Sequence, residues 1–246
     1  MSQPETAPQE TVPQETVPPM IEPTARTTVR RHRDRAAFER ERINAILDEG
    51  MICHVACCVD GVPWMIPTAY GRDGDVLYLH GAAGNHLLKT ASEGGVIVVA
   101  VSLLDGMVLA RSTFNHSFNY RSVVVFGTAV EVRDAAEKAH GLDVIVDRML
   151  PGRSREARAP SESELRQTRV VRLPITEASA KIRTGPAVDQ PQDVSLPIWA
   201  GVLPLHTVAG VPEPDAANAA GLALPVGLDQ PERWATPSPS GGGTAG

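Results

Sequence analysis

The residues best equipped for chemistry fall in one stretch, Asp75–Lys89, DVLYLHGAAGNHLLK. It places an imidazole, His80, at the end of an alternating run, followed by Gly81, Ala82, Ala83 and Gly84, then Asn85, His86 and Lys89. Imidazole changes charge near neutral pH, so His80 is suited to relaying a proton; hydrogen-bonding the turn backbone is its alternative role. The small residues allow a ligand close to the backbone. Asn85 is a good helix cap, and the first N–H groups of a helix have no internal partner. Together they describe either an anion site, with phosphate the usual anion, or an ordinary β–α turn. His80, His86 and His116 do not read as a metal site, because no carboxylate is spaced to join them.

The elements that position this stretch follow from periodicity. Val76, Tyr78 and His80 alternate with Leu77 and Leu79, which predicts a strand. Upstream, Asp34–Glu49 has near-helical apolar spacing and ends at Gly50. Met51–Val59 reads as a strand, Asp60-Gly61 as a hairpin turn, and Val62–Tyr70 as a strand interrupted by Pro63 and Pro67. Proline in a strand implies an edge, a bulge or an end, so Pro67-Thr68 is expected to turn backbone groups toward a ligand. Downstream, Asn85–Ser92 is expected to be helical and Val96–Leu104 to be a strand buried on both faces. Asp105-Gly106 reads as a turn into Met107–Arg111, and Ser112–Asn119 as a polar loop. Tyr120–Arg133 is expected to be a strand bent at Gly127. Asp134 caps a helix to about Met149, and Ser161 with Glu164 forms a capping box. Arg169–Ile175, Ala178–Arg183 and Ile198–Leu203 are further strand pieces. Many strands, DG turns and few helices predict a mainly β fold, an antiparallel barrel with flanking helices, and GxGxxG is absent.

Composition bounds the function. The chain has 246 residues and a net charge of −6, which disfavours nucleic acid as a partner. Residues 1–29 repeat ETAPQ-like units and residues 206–246 are rich in Ala, Pro and Gly, so both read as disordered tails around a domain at 30–205. No apolar run reaches the length of a membrane span, and the N-terminus lacks the order of a signal peptide, so a cytoplasmic protein is expected. Cys53, Cys57 and Cys58 share one strand without a CxxC pair and read as small buried hydrophobes.

In this order, GVPWMIPTAYGRDGDVLYLHGAAGNHLLK (61–89), LLDGMVLARSTFNHSFNYRSVVVFGTA (103–129), SAKIRTGP (179–186) and WAGVLPL (199–205) resemble the flavin-binding split barrels related to pyridoxamine 5′-phosphate oxidase, in particular the nitroimidazole-resistance branch. The resemblance implies a six-stranded antiparallel split β-barrel and a homodimer holding FMN at its interface. It implies an oxidoreductase acting on a small organic molecule, with NAD(P)H as a possible donor. It sets the flavin ring along Pro67, Thr68, Ala69 and Tyr70, and the phosphate by His80, Gly81, Ala82, Asn85, His86 and Lys89. Arg121 and Ser122 are expected beside the same cofactor, Lys181 and Arg183 as a basic wall across the dimer, and Trp199 as a cover over the flavin or interface. For Lys181 and Arg183 an exposed edge protected by charge is the alternative, and for Trp199 a core position. In the nitroimidazole-resistance branch a histidine matching His80 is proposed to act in catalysis. Relatives commonly carry Ser or Thr and Arg or Lys where this chain has Ala82, Asn85 and His86. That departure keeps open a non-catalytic carrier of flavin, deazaflavin or haem.

Overall fold

The computed structural model describes residues 18–219 and 221–228. Its strands are β1 (Ala36–Ala37), β2 (Ile52–Val59), β3 (Val62–Asp73), β4 (Val76–Ala82), β5 (Val96–Leu109), β6 (Ser117–Thr128), β7 (Val130–Glu131), β8 (Thr168–Pro174), β9 (Glu177–Arg183) and β10 (Gly201–Pro204). The helices are α1 (Arg40–Glu49), α2 (His86–Ser92), α3 (Ala135–Met149), α4 (Arg153–Glu156) and α5 (Glu162–Gln167). All pairings are antiparallel, in the order β1-β9-β6-β5-β2-β3-β4-β8-β7, with β10 added to the far half of β5. The sheet curls into a split barrel whose ladder does not close. Among the described residues no helix is long and apolar enough to cross a membrane.

Alternation decides the two faces. In β2, Cys53, Val55, Cys57 and Val59 point inward while Ile52, His54 and Cys58 point out. The inward set packs with Leu77, Leu79, Val99, Val123, Val171 and Leu173 in the main core. A second cluster forms where α3 covers the opposite side of β4, with Tyr78, Ile145 and Val170. Glycine permits that approach: a Cβ on Gly71 would lie 2.8 Å from the Val144 backbone, and one on Gly141 would lie 2.7 Å from the Tyr78 ring.

Local signals produced local structure. Asp60 and Gly61 both take positive φ, 51° and 77°, as a two-residue hairpin needs. Asp134 accepts from the Glu137 N–H, and Ser161 with Glu164 closes a reciprocal capping box. Three expectations change. Asp105-Gly106 is not a hairpin turn: β5 runs on to Leu109 along β6, and the extra residue is absorbed as a bulge between Leu104 and Gly106. The helix expected from Asp34 starts only at Arg40, after the short strand β1 pairs with β9. The N-terminal boundary also moves: within 18–29, Ile21 and Thr27 are buried, and Ile21 N–H donates to Phe38 O at 2.9 Å. Residues 1–17 and 229–246, both expected to be tail, lie outside the described residues.

Candidate functional site

The barrel opens between β3 and β4. β3 pairs with β2 from Val62 to Ala69, but with β4 only from Tyr70 to Asp73. The last rung is Tyr70↔Leu79, so Ala69 and His80 are the first residues past the point where the strands part. Pro67, Thr68 and Ala69 form one lip, and His80, Gly81 and Ala82 the other. Along Val62–Ala69 the far edge of β3 pairs with no strand among the described residues, and both strand prolines sit there, where a lost donor costs least. Trp64 and Met65 are exposed on this lip, and the Trp64 ring lies 6.2 Å from His86 at 48°. That contact brings the start of α2 against the open edge.

His80 is the chemical feature of the split. Its Nδ1 is buried and has no hydrogen-bond partner among the described residues. Burial lowers its pKa below the ordinary value of 6.5, so the neutral ring is favoured. A buried imidazole nitrogen left unpaired beside an opening is a group prepared for a ligand.

The turn after β4 is less open than an anion cradle. Asn85 caps α2 by accepting from the Leu88 N–H at 3.0 Å. Ala83 N–H donates to Gln167 O and Asn85 N–H to Ala82 O, each at 2.8 Å. Gly81 serves packing, because a Cβ there would lie 2.8 Å from Leu88 Cδ1. Lys89 is exposed and 3.9 Å from Glu93.

Other expected residues have different tasks. The Tyr70 side chain points into the core. It is 1% exposed, and its hydroxyl donates toward the carbonyls of Leu47 and Gly50, fastening α1 to β3. Arg121 is not free for a phosphate. Its guanidinium is engaged by Glu49 at the end of α1 and by Asp105 at the β5 bulge, with Nη2 at 2.8 Å and 2.7 Å from the two carboxylates. These carboxylates push its pKa further up. Arg183 is not a basic wall. It is buried, contacts Asn119 Oδ1 and donates to Gly185 O and Pro186 O, holding the segment after β9. Burial lowers its pKa. Ser122 and Lys181 are neighbours across β6 and β9, two strands or more from the split, and Ser122 Oγ donates to Lys181 O at 3.3 Å. Trp199 is 68% exposed and lies over Gly201, away from the split within one chain.

Arg169 was missed. It pairs with Gly81, has one Nη1 buried without a hydrogen-bond partner, and holds Nε 3.2 Å from Glu131 Oε1 outside hydrogen-bond geometry. Its signal was the arginine that opens the run RVVRLP, which is apolar apart from it and Arg172. Trp64 was visible as an aromatic between two strand prolines.

The geometry defines a split barrel with a lipped opening, and the sequence places it in a family. The pyridoxamine 5′-phosphate oxidase model matches residues 39–182, more than half of the chain. The chain belongs to that family. Among solved structures it is similar to the flavocytochrome Anf3 from Azotobacter vinelandii, at 40% identity and a TM-score of 0.79, covering 83% of this chain and 95% of that one. It is similar to the FAD and haem binding protein from Mycobacterium smegmatis, at 38% identity and a TM-score of 0.76, covering 80% and 97%. A proposed 5-nitroimidazole antibiotic resistance protein from Bacteroides thetaiotaomicron shares the fold at 22% identity and a TM-score of 0.51, covering 60% and 86%. None of the curated proteins matches this sequence.

Proposed function

We propose that this chain is a flavin-binding redox protein that also carries haem, with the flavin ring seated in the split between β3 and β4. The observation that carries the reading is the split itself. It joins an unpaired strand edge at Val62–Ala69 to a buried, partnerless imidazole nitrogen at His80. A flavin ring edge alternates hydrogen-bond donors and acceptors, as an open strand edge does. When bound, a flavin accepts hydride and passes electrons on, and haem exchanges single electrons. His80 Nδ1 would hold or deliver a proton at the ring edge, Trp64 would shield one lip from water, and Thr68 and Ala69 would orient the ring through their backbone.

The relatives at 40% and 38% identity are a flavocytochrome and an FAD and haem binding protein, which favours FAD over the FMN that the family resemblance implied. We further propose a homodimer. The outer face of β2, β5 and β6 leaves Ile52, Leu104 and Phe118 exposed, and a second copy would cover it. Lys181 also lies on this face and would then reach the partner's cofactor phosphates, a task that Arg121 and Arg183 are committed away from. The reaction we assign is electron transfer from a reductant such as NAD(P)H to a small acceptor.

The test is reduction of the pigmented protein under anaerobic conditions. NADPH should bleach the flavin, and an added acceptor should restore its colour. Bleaching by dithionite but not by NADH or NADPH would identify a carrier instead of a pyridine-nucleotide oxidoreductase. A protein that takes up no flavin would refute the reading.

A further inference from the structure

The densest unanswered charge on the surface lies before β1, in the run TTVRRHRDRAAF at 27–38. It holds Arg30, Arg31, Arg33 and Arg35, with Asp34 its only carboxylate, in a chain whose net charge is −6. Arg30, Arg31, His32 and Arg33 are exposed, and Arg35 is half-buried. Most other arginines lie against a carboxylate, as Arg40 does against Asp75 and Arg111 against Asp189. The four in this run have no hydrogen-bonded or ionic side-chain partner among the described residues.

The backbone sets their display. His32 takes φ 54° and ψ 60°, the left-handed region, which is uncommon outside glycine. Arg31 and Arg33 therefore flank a sharp turn, closed by the Arg35 N–H donating to His32 O at 3.0 Å. The run then enters β1, the terminal strand of the sheet, where Ala36 pairs with Lys181. The turn thus lies at the sheet edge beyond β9, outside the β2, β5 and β6 face assigned to the homodimer. Arg35 also adds its repulsion to the burial that lowers the Arg183 pKa. Like charges gathered without counter-charges are unfavourable in the free protein, and an anionic partner relieves that.

The surroundings select among anionic partners. Small-molecule sites are concave, whereas these arginines stand on an exposed turn. No aromatic residue lies between Thr27 and Ala37 to stack on bases, and the net negative charge repels a long polyanion. No exposed large apolar side chain accompanies the run to enter a membrane interface. An acidic protein surface offers carboxylates, which guanidinium groups pair in bidentate fashion. Transient electron-transfer complexes are small and steered by charge.

We propose that Arg30, Arg31, Arg33 and Arg35 form the docking surface for an acidic one-electron carrier protein. The inference rests on the redox reading above and adds the protein that exchanges electrons with this one. Two carriers, each giving up one electron, would reduce one bound flavin, with two protons taken from solvent. Lys181, the next cation along, is the residue assigned above to the second copy's cofactor phosphates, so a carrier docked here stands beside a flavin.

The test measures label-free association of the purified full-length chain with immobilised acidic [2Fe–2S] ferredoxin. Three combined variants accompany the wild type. The first changes Arg30, Arg31, Arg33 and Arg35 to Gln, and the second changes them to Lys. The third is a charge-matched control that changes Arg133, Arg155, Arg158 and Arg166, all exposed, to Gln. At about 0.01 M ionic strength the first should associate about 10-fold or more slowly, the control less than about threefold more slowly, and the Lys set at nearly the wild-type rate. Raising ionic strength to about 0.15 M shortens the Debye length from about 30 Å to about 8 Å and should slow the wild type by a factor like that of the Gln set. Flavin content should be unchanged throughout. Equal losses in the two Gln sets would reduce the effect to net charge and overturn the site. A flavin-loaded wild type that binds no ferredoxin would overturn it, as would tighter binding to phosphatidylserine vesicles or to a DNA duplex. Loss of flavin from the first variant would assign the arginines to the cofactor and overturn it too. The salt series needs no mutation, so a wild type indifferent to salt would overturn the proposal even if the Gln set failed to fold. A chain that takes up no flavin yet docks ferredoxin through these arginines would refute the flavin reading and leave the docking surface standing.

Discussion

Replacing Arg121 separates a structural role from a cofactor role. The guanidinium joins three elements: α1 through Glu49, the β5 bulge through Asp105, and β6 itself. The Asp105 side chain is 5% exposed, while those of Arg121 and Glu49 are 18% and 19% exposed. Arg121→Ala leaves one nearly buried carboxylate and one half-shielded carboxylate facing each other without their cation. Removing one partner of a buried pair typically costs 3–5 kcal/mol, and the water reaching Glu49 places this case at the lower end, about 3 kcal/mol. For a domain of this size each kcal/mol moves Tm by about 2–4 °C, so Tm should fall by about 6–12 °C. Glu49→Gln keeps the Asp105 pair and should cost only about 1 kcal/mol. Urea denaturation of the cofactor-free chain, with the slope unchanged, measures both. Flavin affinity of the folded variant should stay close to wild type. A stable Arg121→Ala with weakened flavin binding would refute the argument and return Arg121 to the phosphate.

Three further outcomes follow from the geometry. Partial burial holds the folded pKa of His80 below 6.5, so the unfolded chain takes up its proton first. Its stabilising contribution is complete above that value and declines as pH falls through it toward the folded value; His80→Gln should remove this component from the pH dependence of urea midpoints. Asn85→Ala removes the acceptor of the Leu88 N–H and should cost about 1 kcal/mol, with Asn85→Asp recovering most of it in thermal melts. Gly71→Ala drives a Cβ to 2.8 Å from the Val144 backbone and should cost about 1–3 kcal/mol, whereas Gly84→Ala meets nothing within 4 Å and should be neutral within about 0.5 kcal/mol by the same melts.

The legibility of the sequence tracked distance along the chain. The Asp60-Gly61 hairpin, the Asp134 cap and the Ser161–Glu164 box each rest on neighbours a few residues apart, and each formed as expected. The alternation of Val76–His80 likewise placed His80 at a strand end. Asp105-Gly106 misled because the same dipeptide serves a bulge when Asp105 is needed as a buried carboxylate. The engagement of Arg121 was not legible because its partner Glu49 is 72 residues away, nor that of Arg183 because its partner Asn119 is 64 residues away. Pairings over that separation leave no periodic trace. The split itself was legible only as two prolines in a strand. Tyr70, the last residue of β3 paired with β4 before the strands part, is tied to the end of α1, a contact between residues 20 or more apart.

The central claim is that this member of the pyridoxamine 5′-phosphate oxidase family holds a flavin in the β3–β4 split. Its most direct measurement is the pigment content of the purified full-length chain: absorbance of the native protein, then chromatographic identification of what denaturation releases. The account predicts a coloured protein that releases FAD together with haem, and Trp64→Ala or His80→Gln variants that retain haem but release less FAD. A colourless chain that takes up neither FAD nor FMN when offered would contradict it.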